Sequence, residues 1–436
     1  MKLQRGAILI AVISVVLLIA NLFDATTNSR RYSNSYPSVV CPSNPAGVTT
    51  VSSVTSKNSL FYRIGNRSTK LVKIKTLRYS SVTDPILIQS EGLTPVSFQS
   101  RKGVWAGSVL CKSPATSQWF VGGTSDVSSK GLIYLVNSGL SLSIVDIFTW
   151  SENGEQAVKT LSVKANSTTS VKLDSLAPGD SQIVVKVSAR SGRINSFLID
   201  ERGKGLQKLG GDSVNSIDAP TKSAVISGIP QQLDKKSKKK APNHYLRLFV
   251  PGVADANFTL ELLSSDGRFI PMGYNERKLA SGKVVELKLA PEVAKGAFAI
   301  KITSDQPLVA AVRSRATSNG HSDFVWSTPS PVLAPMQIAV GGILPKIIFT
   351  GDSIAVDLRI TYSSGKEKDK SITGSDLLSW QVPNNAIAIT ILSAGKENYA
   401  GALIAAKSGY AFFPIASGSE LTKAAIPSSN IRVLNP

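Results

Sequence analysis

The residue types that carry acid–base and nucleophilic chemistry are scarce in this sequence of 436 residues. Its two histidines are His244, which begins an apolar alternating stretch, and His321, which lies in a polar turn. Neither lies near a Gly-x-Ser-x-Gly nucleophile elbow, which the sequence lacks, so a hydrolase triad is not predicted. Two cysteines and two distant histidines also cannot form a four-ligand zinc site at known spacings. We therefore expect no catalytic residue, no metal and no cofactor.

Carboxylates leave one catalytic alternative open. A glycosidase uses two acidic side chains that meet only in the fold, so sequence alone does not exclude such a pair. Acidic residues are few, however, with 29 Asp and Glu against 49 Lys and Arg. Most occupy turn positions, where Asp bonds its own backbone, such as Asp180, Asp266, Asp305 and Asp352. The pairs Gly122-Gly123 and Gly210-Gly211 lack the Lys-Ser or Lys-Thr of a phosphate loop, and we interpret them as turn glycines.

Basic and aromatic residues suggest binding instead of catalysis. The net charge of +20 attracts polyanions. The densest basic run consists of Lys235, Lys236, Lys238, Lys239 and Lys240. It favours a solvated linker, and the sharper hypothesis is contact with an anionic polymer or lipid surface. Tryptophans more often fill sandwich cores than stack on sugars, and the best candidates for a ligand contact are Trp119 and Phe120, beside a Gly-Gly pair.

The two cysteines, Cys41 and Cys111, have no other possible partner in the chain. They predict a single disulfide across a separation of 70 residues, and with it an oxidising compartment. The alternative is a pair of buried free thiols.

A strand pattern that recurs three times predicts the elements carrying these residues. In each copy an alternating apolar strand is followed by a glycine, a second strand and another glycine. The copies are Leu132–Asp200, Tyr245–Arg315 and Lys346–Ala405. Hairpin turns are predicted at Asn153-Gly154 and Asp266-Gly267, since these pairs supply the positive φ of a tight turn.

Short strands between turn signals at this spacing are typical of sandwiches. We therefore predict an all-β fold of tandem β-sandwich modules, Ig-like or jelly-roll-like, after one N-terminal transmembrane helix. The modules are expected at residues 41–123, 124–211, 243–327 and 331–436. Residues 212–242 are expected to be a linker that contains the lysine run.

The N-terminus predicts the location. Lys2 and Arg5 precede an apolar run from Ala7 to Phe23, which as a helix spans about 25 Å, near the lower limit for a bilayer. Residues 1–23 are therefore expected to be an uncleaved anchor with a cytoplasmic N-terminus, followed by a flexible stalk at residues 24–40. The alternative is a cleaved signal peptide and a secreted protein. Either outcome exports most of the chain, so no nucleic-acid partner is expected.

Several motifs are similar to those of a known group. They are Leu135-Val136-Asn137-Ser138-Gly139, Leu173–Gly179, Val284–Leu289, Ile300–Arg313, and Cys111 followed by Gln118–Gly123. The chain resembles the actinobacterial exported proteins grouped as domain-of-unknown-function family 5719. The resemblance implies an exported, membrane-anchored protein, offers no catalytic residues to transfer, and implies a link to envelope glycosyltransferases.

These observations predict a non-catalytic, membrane-anchored extracytoplasmic protein that binds or scaffolds anionic cell-envelope polymer or lipid headgroups. One alternative is an accessory subunit of an envelope glycosyltransferase system. A less favoured alternative is a glycan-active enzyme.

Overall fold

The computed structural model describes residues 12–16, 32–44, 49–53, 59–66, 69–74, 78–81, 84–89, 91–101, 104–231, 244–291, 293, 296–318, 321–407 and 409–425. Strands dominate this part of the chain, which confirms the all-β prediction. Its helical residues are 12–16 and the 3-10 turn Leu173–Ser175. The chain divides into two compact units, residues 1–37 with 421–436, and residues 38–420.

The strands of the first half of the chain are β1 (Tyr32–Ser35), β2 (Val39–Cys41), β3 (Thr49–Ser53), β4 (Leu60–Arg63), β5 (Val72–Lys73), β6 (Arg78–Ser81), β7 (Ile86–Gln89), β8 (Leu93–Thr94), β9 (Val96–Arg101), β10 (Trp105–Leu110), β11 (Ser117–Val121), β12 (Leu132–Asn137), β13 (Ser143–Ser151), β14 (Gly154–Glu155), β15 (Lys159–Val163), β16 (Ser167–Lys172), β17 (Ile183–Ser191), β18 (Asn195–Lys204) and β19 (Gln207–Val214). The strands of the second half are β20 (Thr221–Gln231), β21 (His244–Phe249), β22 (Ala256–Ser264), β23 (Gly267–Phe269), β24 (Arg277–Leu279), β25 (Val284–Leu289), β26 (Gly296–Ser318), β27 (His321–Ser327), β28 (Met336–Ala339), β29 (Lys346–Tyr362), β30 (Glu367–Gln381), β31 (Ala386–Ala394), β32 (Tyr399–Ala406), β33 (Gly409–Pro414) and β34 (Thr422–Ala425).

In the smaller unit, β1 pairs antiparallel with β34. Of the anchor expected at residues 1–23, the structure describes residues 12–16, and the rest lies outside the described residues. Across the described segments, no helix has both the length and the apolar character needed to cross a bilayer. The flexible stalk expected at residues 24–40 is wrong for its second half, because β1 is a paired strand and Val39 and Val40 are fully buried.

Two four-stranded sheets form the first module of the larger unit, in the orders β2-β7-β4-β5 and β10-β9-β3-β6. The second module packs the sheet β11-β17-β13-β14, extended by β15, against β16-β12-β18-β19. Apolar residues of both sheets share one core, among them Val145 and Ile147 from one sheet and Ile133 and Leu135 from the other.

The third module is built around the long strand β26. Its first half pairs with β20 and β22, and its second half pairs with β21 and β27, so one strand belongs to both layers. The fourth module is a single seven-stranded sheet, β33-β32-β29-β31-β28-β8 with β30 beside β29. It wraps its own apolar core, so it differs from the two-sheet sandwich that we predicted.

Three strands cross the predicted module boundaries. Strand β11, expected to close the first module, pairs with β17 of the second. Strand β20, expected to be part of the linker 212–242, pairs with β26 of the third, since its Ala224, Ile226 and Ile229 join that core. Strand β8 of the first module pairs in parallel with β28 of the fourth. The modules therefore interlock and are not separate beads.

A central junction of four strands holds the modules together. Its members are β10, β19, β27 and β33, each lying at the edge of its sheet. Asp323 of β27 accepts hydrogen bonds from the amides of Gly211 (3.1 Å) and Ala106 (3.4 Å), and Asp212 of β19 accepts one from the Trp326 amide (2.6 Å). Buried carboxyl groups thus occupy edge amides that would otherwise lack partners.

Asn215 extends the junction after β19 ends. Its amide nitrogen donates to the carbonyls of Ser108 (2.9 Å) and Phe412 (3.0 Å), and its oxygen accepts from the Leu110 amide (3.2 Å). One side chain of the second module therefore bonds backbone groups of the first and the fourth.

Candidate anion-binding pocket

A cavity of about 170 Å³ lies where strands β18 and β19 of the second module meet β26 and β27 of the third. We call it the arginine pocket, because three arginines line it. The lining residues are Asp126, Ser129, Arg202, Gly203, Leu209, Arg313, Arg315, Ser322, Asp323 and Phe324.

Strand geometry places the three arginines. Arg313 and Arg315 are two positions apart on β26, so their side chains leave the same face of the sheet. They lie opposite Trp326 and Phe324 of β27. Arg202 approaches from β18 at an irregularity in its pairing with β19, next to Gly203. A Cβ on Gly203 would collide with the carbonyl oxygen of Ser128, so this close approach requires glycine.

Arg202 is held in a fixed orientation. Its Nε donates to Asp200 (2.9 Å) and its Nη2 to the carbonyl of Gly123 (3.3 Å). The guanidinium carbon lies 5.4 Å from the ring centre of Phe324 and 5.7 Å from that of Trp326. The aromatic faces favour the cation, so the wall of the pocket carries a positioned positive charge.

A buried ion-pair network lies behind this wall. Glu286 accepts from Arg247 Nη2 (2.7 Å) and Nε (3.1 Å) and from Arg313 Nη2 (3.2 Å). Burial alone would raise the pKa of Glu286, but the charges of Arg247 and Arg313 outweigh it and lower the pKa to about 2. Burial lowers the pKa of Arg313 to about 10, which leaves this arginine charged at neutral pH.

Asp323 is buried between the junction and the pocket. Burial raises the pKa of its carboxyl to about 8, against the opposing effect of the backbone amides that it accepts from. Burial also raises the pKa of Asp212, and the neighbouring Asp323 and Asp200 add to that rise. The carboxyl of Asp323 therefore favours the neutral form near pH 7, which removes one negative charge from the arginine side of the pocket.

The remaining charges do not balance. Four arginines (Arg202, Arg247, Arg313 and Arg315) lie at or directly behind the pocket. Against them stand three acidic side chains: Asp200 and Glu286, which are ion-paired, and Asp126 of the lining. Within the described part of the chain, the buried Nε of Arg313 and the buried Oγ of Ser129 have no hydrogen-bond partner. A buried donor without a partner is costly. An anionic group entering the pocket can supply the missing negative charge.

The residues predicted to contact a ligand do not form this site. Trp119 and Phe120 are 5% and 1% exposed, so the predicted ligand contact is wrong for both. Trp119 stacks on Trp150 at 5.4 Å and lies 6.3 Å from Phe249 of the third module, which explains its burial. The lysine run, Lys235, Lys236, Lys238, Lys239 and Lys240, lies outside the described residues.

The disulfide prediction is confirmed. The sulfur atoms of Cys41 and Cys111 are 2.03 Å apart, and the bond joins β2 to the residue after β10. It thereby links the two sheets of the first module.

The buried His244 has a structural role. Its ring nitrogens bond Ser314 Oγ (2.8 Å) and Gln231 Oε1 (2.7 Å), and burial lowers its pKa to about 4. In the described segments, no group of three or more His, Cys, Asp or Glu side chains is arranged to hold a metal ion.

Sequence reasoning missed the arginine pocket, although one signal was present. Val312-Arg313-Ser314-Arg315 alternates directly after the apolar residues Leu308–Ala311 of the same strand. Gly210 and Gly211, interpreted as turn glycines, lie inside β19. A Cβ on Gly210 would collide with Asp323, so this glycine permits the close approach of two edge strands.

Comparison with known proteins places the pocket within the part of the chain that matches a family model. The model of a family of unknown function (DUF5719) matches residues 94–369, which include every residue lining the pocket. No curated protein matches the chain.

Proposed function

Since this chain belongs to the DUF5719 family, whose function is unknown, we propose a function from its own residues. The protein is a non-catalytic, membrane-anchored extracytoplasmic protein that binds anionic cell-envelope polymer in the arginine pocket. The observation that carries this proposal is the excess of arginine charge at the pocket.

The chemistry of the pocket suits a phosphate or carboxylate group. Arginine donors form a planar fork that matches both groups, and charge-assisted hydrogen bonds are the strong ones. Arg315 is exposed and makes no ion pair with a described residue, so it is free to meet the incoming anion. The net charge of +20 would then draw a polyanion toward the protein.

Binding without catalysis is favoured because Asp323, the buried acidic residue of the pocket, already has hydrogen-bond partners. Both oxygens of Asp323 already accept backbone amides of other modules. Arginine stays protonated and cannot serve as a general base at neutral pH. Export is supported by the disulfide, since such bonds persist in oxidising compartments. The apolar run after Lys2 and Arg5 supports membrane anchoring with the N-terminus inside.

The test measures binding of the full chain to poly(glycerol phosphate), to an acidic polysaccharide and to neutral dextran. We expect both anionic polymers to bind and dextran not to bind. Affinity should fall steeply between about 0.05 and 0.5 M salt, because exposed charges are screened within about 10 Å at 0.1 M.

Arg315→Gln should lower affinity for the anionic polymers about tenfold, the value of one charge-assisted contact. The matched control is Arg193→Gln, because Arg193 is also exposed and this substitution removes the same charge. Arg193 lies just before β18, and Arg202 lies near the opposite end of that strand. At the rise per residue of a β-strand, the two arginines are about 30 Å apart. Equal effects of the two substitutions, or affinity that does not depend on salt, would refute binding at the pocket.

A further inference from the structure

We infer that the anion recognised by the arginine pocket is attached to a lipid, and that the rim of the pocket contacts an anionic bilayer surface. This inference rests on the proposed function, because it concerns the same pocket, and it narrows the ligand to a lipid-linked phosphate. The argument comes from the residues around the mouth of the pocket.

Two loops form the rim. One is the turn from Asp126 to Lys130, and the other is the β18–β19 hairpin, residues 203–207. They are joined by hydrogen bonds from the Gly205 amide to Ser128 Oγ (2.9 Å) and from the Lys130 amide to the Glu201 carbonyl (2.7 Å). Asp126, Ser129 and Gly203 of these loops also line the pocket, so the rim and the pocket are continuous.

Each rim loop carries a fully exposed apolar side chain. Val127 is 101% exposed and Leu206 is 104% exposed. Each lies next to one of the two residues joined by the Ser128–Gly205 hydrogen bond, so the two side chains share one rim. Turn chemistry calls for Gly, Asn, Asp or Ser at such positions, which leaves the valine and leucine unexplained by the fold.

Basic side chains surround these apolar tips. Lys130, Lys204 and Lys208 are exposed, and they outnumber the two acidic neighbours. Of these, Glu201 is already paired with Arg101 at 2.6 Å, and Asp126 is exposed at the start of the first loop. This arrangement suits the surface of an acidic bilayer. The lysines and the pocket would contact the lipid phosphates, and the two apolar side chains would enter the apolar boundary beneath them. A fully water-soluble polymer would account for the lysines but not for Val127 and Leu206.

The test uses the full chain with a fluorescent reporter at the rim. Both native cysteines are in the disulfide, so Leu206→Cys provides a single free thiol for an environment-sensitive dye. The matched control is Val253→Cys, because Val253 is also fully exposed (102%) but lies on a turn of the third module that does not line the pocket. Residues 1–23 are identical in both proteins, so any membrane contact that they make is the same in both.

We expect a blue shift of the dye at position 206 with phosphatidylglycerol vesicles and none with phosphatidylcholine vesicles or soluble glycerol phosphate. The dye at position 253 should not shift.

Three results would overturn the inference: equal shifts with both lipids, a shift at position 253 equal to that at 206, or no shift at 206. Polymer binding distinguishes failure of the inference from failure of the proposed function. If the dye at position 206 never shifts while Arg315→Gln still weakens binding of soluble poly(glycerol phosphate), the lipid inference fails and the proposed function stands. If Arg315→Gln changes neither assay, both fail.

Discussion

Arg247→Met tests whether a single arginine ties the second and third modules together. Arg247 is on β21 of the third module and its side chain is fully buried. Its Nη1 donates to carbonyls of the second module, those of Gly123 (2.8 Å) and Ile183 (3.0 Å). Its other nitrogens hold Glu286. Methionine keeps most of the volume of the side chain and removes every one of these hydrogen bonds.

The magnitude follows from what the substitution leaves behind. Breaking a buried ion pair by removing one partner costs about 3–5 kcal/mol, because the other charge stays buried. Arg313 still reaches Glu286 at 3.2 Å and Arg202 still reaches the Gly123 carbonyl at 3.3 Å, which favours the lower part of that range. The Ile183 carbonyl loses the arginine donor, at a cost of about 1 kcal/mol or more. We therefore expect a loss of about 3–5 kcal/mol.

Urea unfolding of the full chain measures this loss, with Arg359→Met as the matched control. Arg359 also faces two carboxylates, Asp369 at 2.7 Å and Glu367 at 3.5 Å, but its side chain is 40% exposed. Exposed pairs are worth about 0–1 kcal/mol. A difference between the two variants below about 1 kcal/mol would refute the assignment of Arg247 as the tie between modules, since burial is the main feature that separates them.

Three further predictions concern the disulfide, the buried carboxyl and the lysine run. Replacing both Cys41 and Cys111 by Ser should destabilise the protein by about 4 kcal/mol, the chain-entropy value for a loop of this size; calorimetry that finds a loss below about 1 kcal/mol would contradict this. Burial raises the pKa of Asp323 from the ordinary value of 3.8 to about 8 in the folded protein. At a pH between these two values, the folded state therefore keeps a proton that the unfolded state has lost. Stability should therefore fall as pH rises from about 4 to 8, and Asp323→Asn should flatten that fall in unfolding curves; parallel slopes for both proteins would argue against it. Replacing the five lysines of the run at 235–240 by Gln should leave the melting temperature nearly unchanged and weaken binding to anionic polymer at low salt, whereas a large drop in melting temperature would show that the run is packed.

Local features of the fold could be predicted because neighbouring residues determine them. The Asn153-Gly154 turn joins β13 to β14, and Gly154 has the positive φ of 110° that the pair predicts. The Asp266-Gly267 turn likewise joins β22 to β23. The disulfide was predictable for a different reason, since a chain with two cysteines allows one pairing.

The site and the interlocking of modules depend on contacts far apart in sequence. The Trp326 amide reaches Asp212 across 114 residues, and the Asn215 amide reaches Phe412 across 197. Such contacts leave no periodic signal. An alternating arginine such as Arg313 has the same pattern on a solvated face as on a buried one. Its burial became visible only once β27 and the second module were in place.

Asp323 connects the two unusual features of the molecule. Its carboxyl oxygens satisfy edge amides of the first and second modules, and its own residue lines the arginine pocket. Where four edge strands meet at one junction, some backbone amides have no strand partner. Short acidic side chains can accept hydrogen bonds from these amides, but a buried carboxyl must then be either neutral or paired with a positive charge. Burial suppresses the charge of Asp323, so Asp323 adds no counter-charge to those that Asp200 and Glu286 already supply to the arginines beside it. The excess positive charge of the pocket is therefore a consequence of how the modules are joined, and an anion that binds there occupies the place where second and third modules meet.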